Sequence, residues 1–167
     1  MSTLRVDKIE GLDTASKVNM PAGMTLQTLE GFSYTRVTST TTTFVDSGVS
    51  CSITPKFSSS KVLIICKHTF ETHGNVNAKA GLRLMRSGTN IAELDNMIAY
   101  NYNTEEVHVT GGTGVGMVLD SPNTTSAITY NTQFNNNSGN GTVYCNADDS
   151  SSYERSRGSI IVMEIAQ

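Results

Sequence analysis

The sequence predicts an all-β protein, an antiparallel β-sandwich preceded by an extended N-terminal arm, on the strength of composition, periodicity and one abrupt change of pattern. Charged residues make up 16% of the 167-residue chain, well below the roughly 25% usual in soluble domains. Ser, Thr, Asn and Gly take their place, so the polarity comes from hydroxyls and amides, which suit strands and turns better than long surface helices. From Phe32 onward, short runs of period two alternate with turn residues, the signature of an all-β sandwich or barrel. Residues 1–31 hold neither a helical nor a strand period for long. The length allows one domain with a core plus an arm, so the chain divides into an arm, 1–31, and a knob, 32–167.

In the arm, Leu4, Val6, Ile9, Leu12, Val18, Met20, Met24, Leu26 and Leu29 are interrupted by Gly11, Pro21 and Gly23. Such a segment cannot bury its own side chains and gains nothing by ordering alone, so it is expected to lie against another chain. Leu4, Val6, Ile9, Leu12 and Val18 are the expected anchoring residues.

In the knob, strands are expected over Phe32–Thr38, Gly48–Thr54, Lys61–Glu71, Ala78–Arg86, Thr89–Leu94, Val115–Leu119, Ser126–Phe134, Thr142–Ala147 and Ser159–Ile165. In Ala78, Ala80, Leu82, Leu84 and again in Ile128, Tyr130, Thr132, Phe134 one face is apolar and the other polar. Ser87-Gly88-Thr89 reads as a hairpin turn, and Asp120-Ser121-Pro122-Asn123 as a turn that Pro122 pre-sets. The continuous apolar runs Val62–Cys66 and Ile160–Met163 suit central strands covered on both faces, with the outer cover supplied by a neighbouring subunit. Asn135–Gly141 and Asp148–Gly158 are amide- and hydroxyl-rich and read as exposed loops.

Several function classes are disfavoured. A net charge of −3 with no basic cluster leaves no electrostatic footprint for nucleic acid. No apolar run approaches a membrane span, and Met1–Met20 lacks the apolar core of a secretory signal, so synthesis and assembly inside a cell are expected. Cys51, Cys66 and Cys145 are odd in number, far apart and set at apolar slots of strand patterns, which reads as buried free thiols rather than a disulfide framework or zinc site.

No metal or cofactor is expected. His68 and His73, five apart, fall on opposite faces of a strand, and His108 stands beside Glu105 and Glu106; without a carboxylate or thiolate at matching spacing they read as surface or packing residues. Gly111, Gly112, Gly114 and Gly116 match neither the dinucleotide fingerprint nor the P-loop, and read as a flexible strand entry or a bulge. Asp148-Asp149 in a Ser-rich loop offers no contrast of environment to split two carboxyl pKa values, so no glycosidase pair is indicated and no enzyme is expected. Tyr100, Tyr102 and Tyr153 with Arg155 and Arg157 are the loop residues of the type that dominates recognition surfaces, facing a receptor such as a glycan; equally, the tyrosines read as rim residues packing the loops.

Four stretches together resemble a known family. Leu4-Arg5-Val6-Asp7-Lys8-Ile9, closing at Pro21-Ala22-Gly23, opens the pattern. Phe44-Val45-Asp46-Ser47-Gly48 follows, with Ser52-Ile53-Thr54-Pro55-Lys56-Phe57 and Ser60-Lys61-Val62-Leu63. Leu119-Asp120-Ser121-Pro122 with Thr124-Thr125-Ser126 and Tyr130, and the ending Met163-Glu164-Ile165-Ala166, complete it. Over nearly the whole chain these are similar to the small fibre-type structural proteins of phages of marine bacteria, especially cyanobacteria.

The resemblance implies a virion component with a jelly-roll-like knob, assembling as a homotrimer and carrying no catalytic residue. The expectation is therefore a tail fibre or appendage subunit, made in the host cytoplasm, docked to other virion proteins through its arm and presenting its knob to a host-surface glycan. A capsid decoration or cement protein, and a free carbohydrate-binding module, are the alternatives.

Overall fold

The computed structural model describes residues 21–74, 77–100, 102, 108–146 and 156–167. Ten strands follow in chain order: β1 (Thr25–Ser33), β2 (Val37–Ser39), β3 (Val45–Ile53), β4 (Lys61–Gly74), β5 (Ala80–Arg86), β6 (Thr89–Ile98), β7 (His108–Asp120), β8 (Ile128–Asn136), β9 (Thr142–Cys145) and β10 (Gly158–Ile165). Among the described residues there is no helix, and every strand pairing is antiparallel.

One sheet runs β3-β8-β5-β6; the other runs β1-β10-β4-β9-β2, with β7 on the far side of β4. The long β4 explains the second order. Along one edge, β10 pairs with its Lys61–Lys67 half and β9 with its Phe70–His73 half, while β7 pairs along its whole length. β10 and β9 thus lie end to end, and β1 and β2 lie end to end beside them. Counting each end-to-end pair as one position leaves eight positions in the orders 1-8-3-6 and 2-7-4-5, which is the jelly roll.

The period-two pattern places the core. Val49, Ile53, Val62, Ile64, Cys66, Tyr130, Ile160 and Val162 form one buried cluster, and Phe70, Leu82, Phe134, Val143 and Cys145 a second. All three cysteines are free and buried, and burial pushes the Cys66 thiol up to about 11.

Four expectations are corrected. The first strand begins at Thr25, not Phe32, because Thr25–Gly31 of the supposed arm pair with β10; the Phe32–Thr38 stretch then breaks between β1 and β2. Gly111–Gly116 are not an entry to a strand at Val115 but the middle of β7. There, Gly114 and Gly116 leave room for Ile98 and Leu94 of β6 in the opposite sheet, and Gly112 for Ala99 just after it: a Cβ at Gly114 would sit 2.6 Å from Ile98 Cδ1, and 3.0 Å from Phe70 Cε2 of the adjacent β4. Asn135 and Asn136 are not loop residues but the buried end of β8, where the Asn136 amide donates to the Asn140 and Gly141 carbonyls at 2.8 and 3.0 Å. Gly158, placed at the end of an exposed loop, is buried and opens β10.

Candidate functional site

The core is divided by a polar layer. On β4, β8 and β3 the inward-facing series read Cys66–His68–Phe70, Tyr130–Thr132–Phe134 and Val45–Ser47–Val49, with one polar residue in each. His68, Thr132 and Ser47 have no exposed surface, and neither does Asn146, which follows β9.

Their hydrogen bonds run in one direction. The Asn146 amide nitrogen donates to the Ser47 and Thr35 carbonyls at 3.0 and 3.3 Å, so its oxygen accepts from His68 Nδ1–H at 2.9 Å. His68 Nε2 is then an acceptor for the Thr132 hydroxyl at 2.8 Å, and Thr132 accepts from Ser47 at 2.6 Å. The layer bolts one sheet to the other at the level where β1 gives way to β2 and β9 to β10. Asn146 takes the left-handed backbone conformation, φ 54°, which asparagine tolerates. Gly158 is required beside it, since a methyl there would overlap Asn146 Oδ1 and meet His68 Nδ1 at 2.8 Å.

Hydroxyl, imidazole and amide in sequence are the atoms of a nucleophilic array. Here they are fully buried and join the two sheets. Burial pushes the His68 imidazole below its ordinary value, and the Asn146 hydrogen bond offsets this only in part.

A second buried bolt centres on Glu164. Burial alone would raise its carboxyl, but hydrogen bonds from the Ser60 hydroxyl, the Gln27 amide and the Lys56 and Phe57 backbone N–H groups outweigh that and hold it low. Both groups destabilise the fold in acid. Unfolded His68 takes up a proton below pH 6.5 that native His68 refuses, so stability falls as pH drops through that value until the native pKa is reached. Glu164 contributes fully above the unfolded carboxyl value of 4.5 and loses its contribution as pH falls through its lower native value. Urea titrations should show stability falling below pH 6.5 by at most about 1.4 kcal/mol per pH unit for the one histidine proton. The part of that slope between pH 6.5 and 5 should vanish in His68→Leu; an unchanged slope would assign the effect elsewhere.

The outer face of the sheet containing β4 is divided at the same level. Strand register aligns Met163, Leu63 and Leu119 in one row, Ile161, Ile65 and Met117 in the next, and Ser159, Lys67 and Val115 in a third. Met117 is 70% exposed, and Leu63, Ile65, Ile161 and Met163 are half-buried. The inward alternates of both apolar runs are fully buried, whereas the outward ones are only half-buried. Beyond this half, Glu71, His73, Tyr144 and Arg36 form a polar and aromatic end: the His73 and Tyr144 rings lie 4.7 Å apart, the Arg36 guanidinium sits 4.9 Å from the Tyr144 ring centre, and His73 Nε2 lies 3.2 Å from the Glu71 carboxylate. His73 thus faces outward and His68 inward.

Three of the expected recognition residues are described, and they lie beside different sheets. Tyr100 and Tyr102 sit together after β6, ring centres 6.0 Å apart, with the Tyr100 hydroxyl donating to Asn77 at 2.7 Å. Arg157 precedes β10 in the other sheet, where it pairs with Glu30 and covers the Phe32 ring at 4.4 Å. Tyr153 and Arg155 lie outside the described residues, as do Leu4, Val6, Ile9, Leu12, Val18, Glu105, Glu106, Asp148 and Asp149.

Among the described residues no cluster of three or more His, Cys, Asp or Glu could hold a metal ion. No family model matches the chain, and no curated protein is similar to it.

Proposed function

We propose that the chain is a non-enzymatic structural subunit of a bacteriophage particle: a trimeric fibre or appendage protein that docks through its N-terminal arm and carries a jelly-roll knob toward a host-surface glycan. The observation that carries this is the outer face of the β4 sheet, whose apolar half needs a protein cover. Sealing of the His68 array supports a structural role over a catalytic one. The resemblance of the motif stretches to fibre-type virion proteins supplies the setting.

β1 begins at Thr25, so the anchoring role falls on the residues before it, including Leu4, Val6, Ile9, Leu12 and Val18. Five such side chains supply several kcal/mol of docking energy at ~25 cal/mol per Å2 when a receiving protein buries them. Deletion of residues 1–20 should therefore leave a folded trimer that no longer enters particles, checked by circular dichroism and by labelling particles in the electron microscope. Normal incorporation of the truncated chain would refute the anchor. Label on the head rather than the tail would make the chain a decoration protein instead.

A further inference from the structure

Beyond its apolar half, the outer face of the β4 sheet changes character, and it repeats one arrangement of side chains. Phe32 begins the change, in the row that continues through Ser159, Lys67 and Val115. Its ring is 56% exposed, and the Tyr34 ring, 49% exposed, meets it edge-on at 5.9 Å. The Arg157 guanidinium lies over the Phe32 ring and pairs with the Glu30 carboxylate. Two rows further along β4, Tyr144 stands between Thr38 and Glu71. The Arg36 guanidinium lies over its ring, the His73 ring meets it edge-on, and the Glu71 carboxylate is beside His73. Each constellation is thus a ring under a guanidinium, with a second ring and a carboxylate next to it.

We propose that this polar and aromatic half binds a neutral glycan chain, one sugar unit at Phe32 and Tyr34 and another at Tyr144 and His73. This rests on the reading of a knob turned toward a host glycan, and adds the surface and the class of sugar. Three features select that ligand. A pyranose has apolar C–H faces and hydroxyl edges, and aromatic rings flanked by guanidinium and carboxylate groups match both. The charges are mixed: Glu30 and Glu71 stand among Arg36, Lys67 and Arg157, so the patch has no strong field of one sign and suits an uncharged chain better than a polyanion. Charge interleaved with rings also sets it apart from the core of a protein interface, which is depleted of charge. Finally, the constellation occurs twice, and the rows of Lys67 and Glu71 are about 13 Å apart along β4. A ligand built of repeated units engages both at once, so two weak contacts add through effective concentration. The guanidinium contacts hold the rings in place beforehand, which lowers the cost of ordering them on binding.

The test is an array of neutral and acidic oligosaccharides probed with the full chain, with Tyr34→Ala and Arg36→Ala made separately, and with Ser50→Glu, an exposed position on β3 of the other sheet; each sugar retained is then titrated by calorimetry. Wild type and Ser50→Glu should retain neutral oligosaccharides. Tyr34→Ala and Arg36→Ala should each raise the Kd about tenfold, with an unchanged circular dichroism spectrum. Unchanged binding in both variants overturns the site and leaves the glycan reading standing, and retention of acidic oligosaccharides alone overturns the class of ligand. A wild type that retains no sugar overturns the site and the glycan reading together; if Tyr34→Ala then also fails to enter particles, the half-face is a protein contact instead. Amide shifts need no variant: on adding the retained oligosaccharide to labelled wild type, shifts at β1, β4 and β9 support the site, and shifts confined to the segment around Tyr100 and Tyr102 overturn it.

Discussion

Asn146→Ala is expected to lower the unfolding free energy by about 4 kcal/mol, because it orphans buried groups on two strands, β3 and β4, and a further carbonyl between β1 and β2. The Ser47 carbonyl and His68 Nδ1–H lose their partners inside the core, and the Thr35 carbonyl loses its own at the strand break. Each buried orphan costs on the order of 1–3 kcal/mol, more than the net gain from an ordinary hydrogen bond. Denaturant titration at pH 7.5 measures the change, and a loss under about 1 kcal/mol would mean that water replaces the amide and that the layer is not a closed bolt. Asn146→Asp separates shape from chemistry. It keeps the acceptor for His68 but cannot donate to the Ser47 carbonyl, so it should also destabilise the fold at pH 7.5.

Gly31→Ala is expected to cost about 3 kcal/mol, the upper part of the range for overpacking. A methyl at Gly31 would overlap the Ser50 carbonyl of β3 and lie 2.7 Å from the carbonyl carbon. Backbone cannot rotate out of the way as a side chain does, so β1 would have to leave β3 or β10. Gly111→Ala is the matched control, since its nearest neighbour is the Phe70 carbonyl oxygen at 4.0 Å, and it should stay within about 0.5 kcal/mol of wild type. Equal effects from the two substitutions would show that strand propensity, not the approach of β1 to β3, governs both.

Period two was enough to place most strands and the inward residues Ile53, Ile64, Leu82, Leu84 and Phe134. It could not show that Ser47, His68 and Thr132, from three distant stretches, share one level, because that depends on register between strands. A local signal existed: each inward series contains one polar residue between apolar neighbours, but a lone serine or threonine in a strand is ordinary. Asn135 and Asn136 were misplaced for a related reason. Amides are turn formers by composition, and only tertiary structure reveals that Asn135 donates to the Thr42 carbonyl at 2.8 Å while Asn136 closes its own loop.

The motif stretches singled out in the sequence acquire physical reasons in the fold. Ser60, Lys56 and Glu164 meet in one buried bolt. Asp120 accepts two hydrogen bonds from Arg86 and one from the Tyr130 hydroxyl. Asp46 caps the Gly48 backbone N–H at 2.7 Å where β3 bulges, and Gly48 at φ 77° suits that bulge. These motifs hold strands and loops together, which is why they were visible as patterns while the outward surfaces were not. The arm boundary was blurred because Leu26 and Leu29 look alike whether they wait for a partner or sit in a strand.

The order of the β4 sheet also governs how the molecule comes into being. Strand β10, residues 158–165, lies between β1 and β4, yet it follows the nine other described strands in chain order. Until it arrives, β1 has no neighbour in its sheet and one half of β4 stands open along an edge. Nearly every pairing is long-range, so closure of the ends is costly and folding falls in the slow, millisecond-to-second class. The jelly roll is therefore completed only when residues 158–165 arrive, by a strand that enters the middle of a sheet rather than its margin.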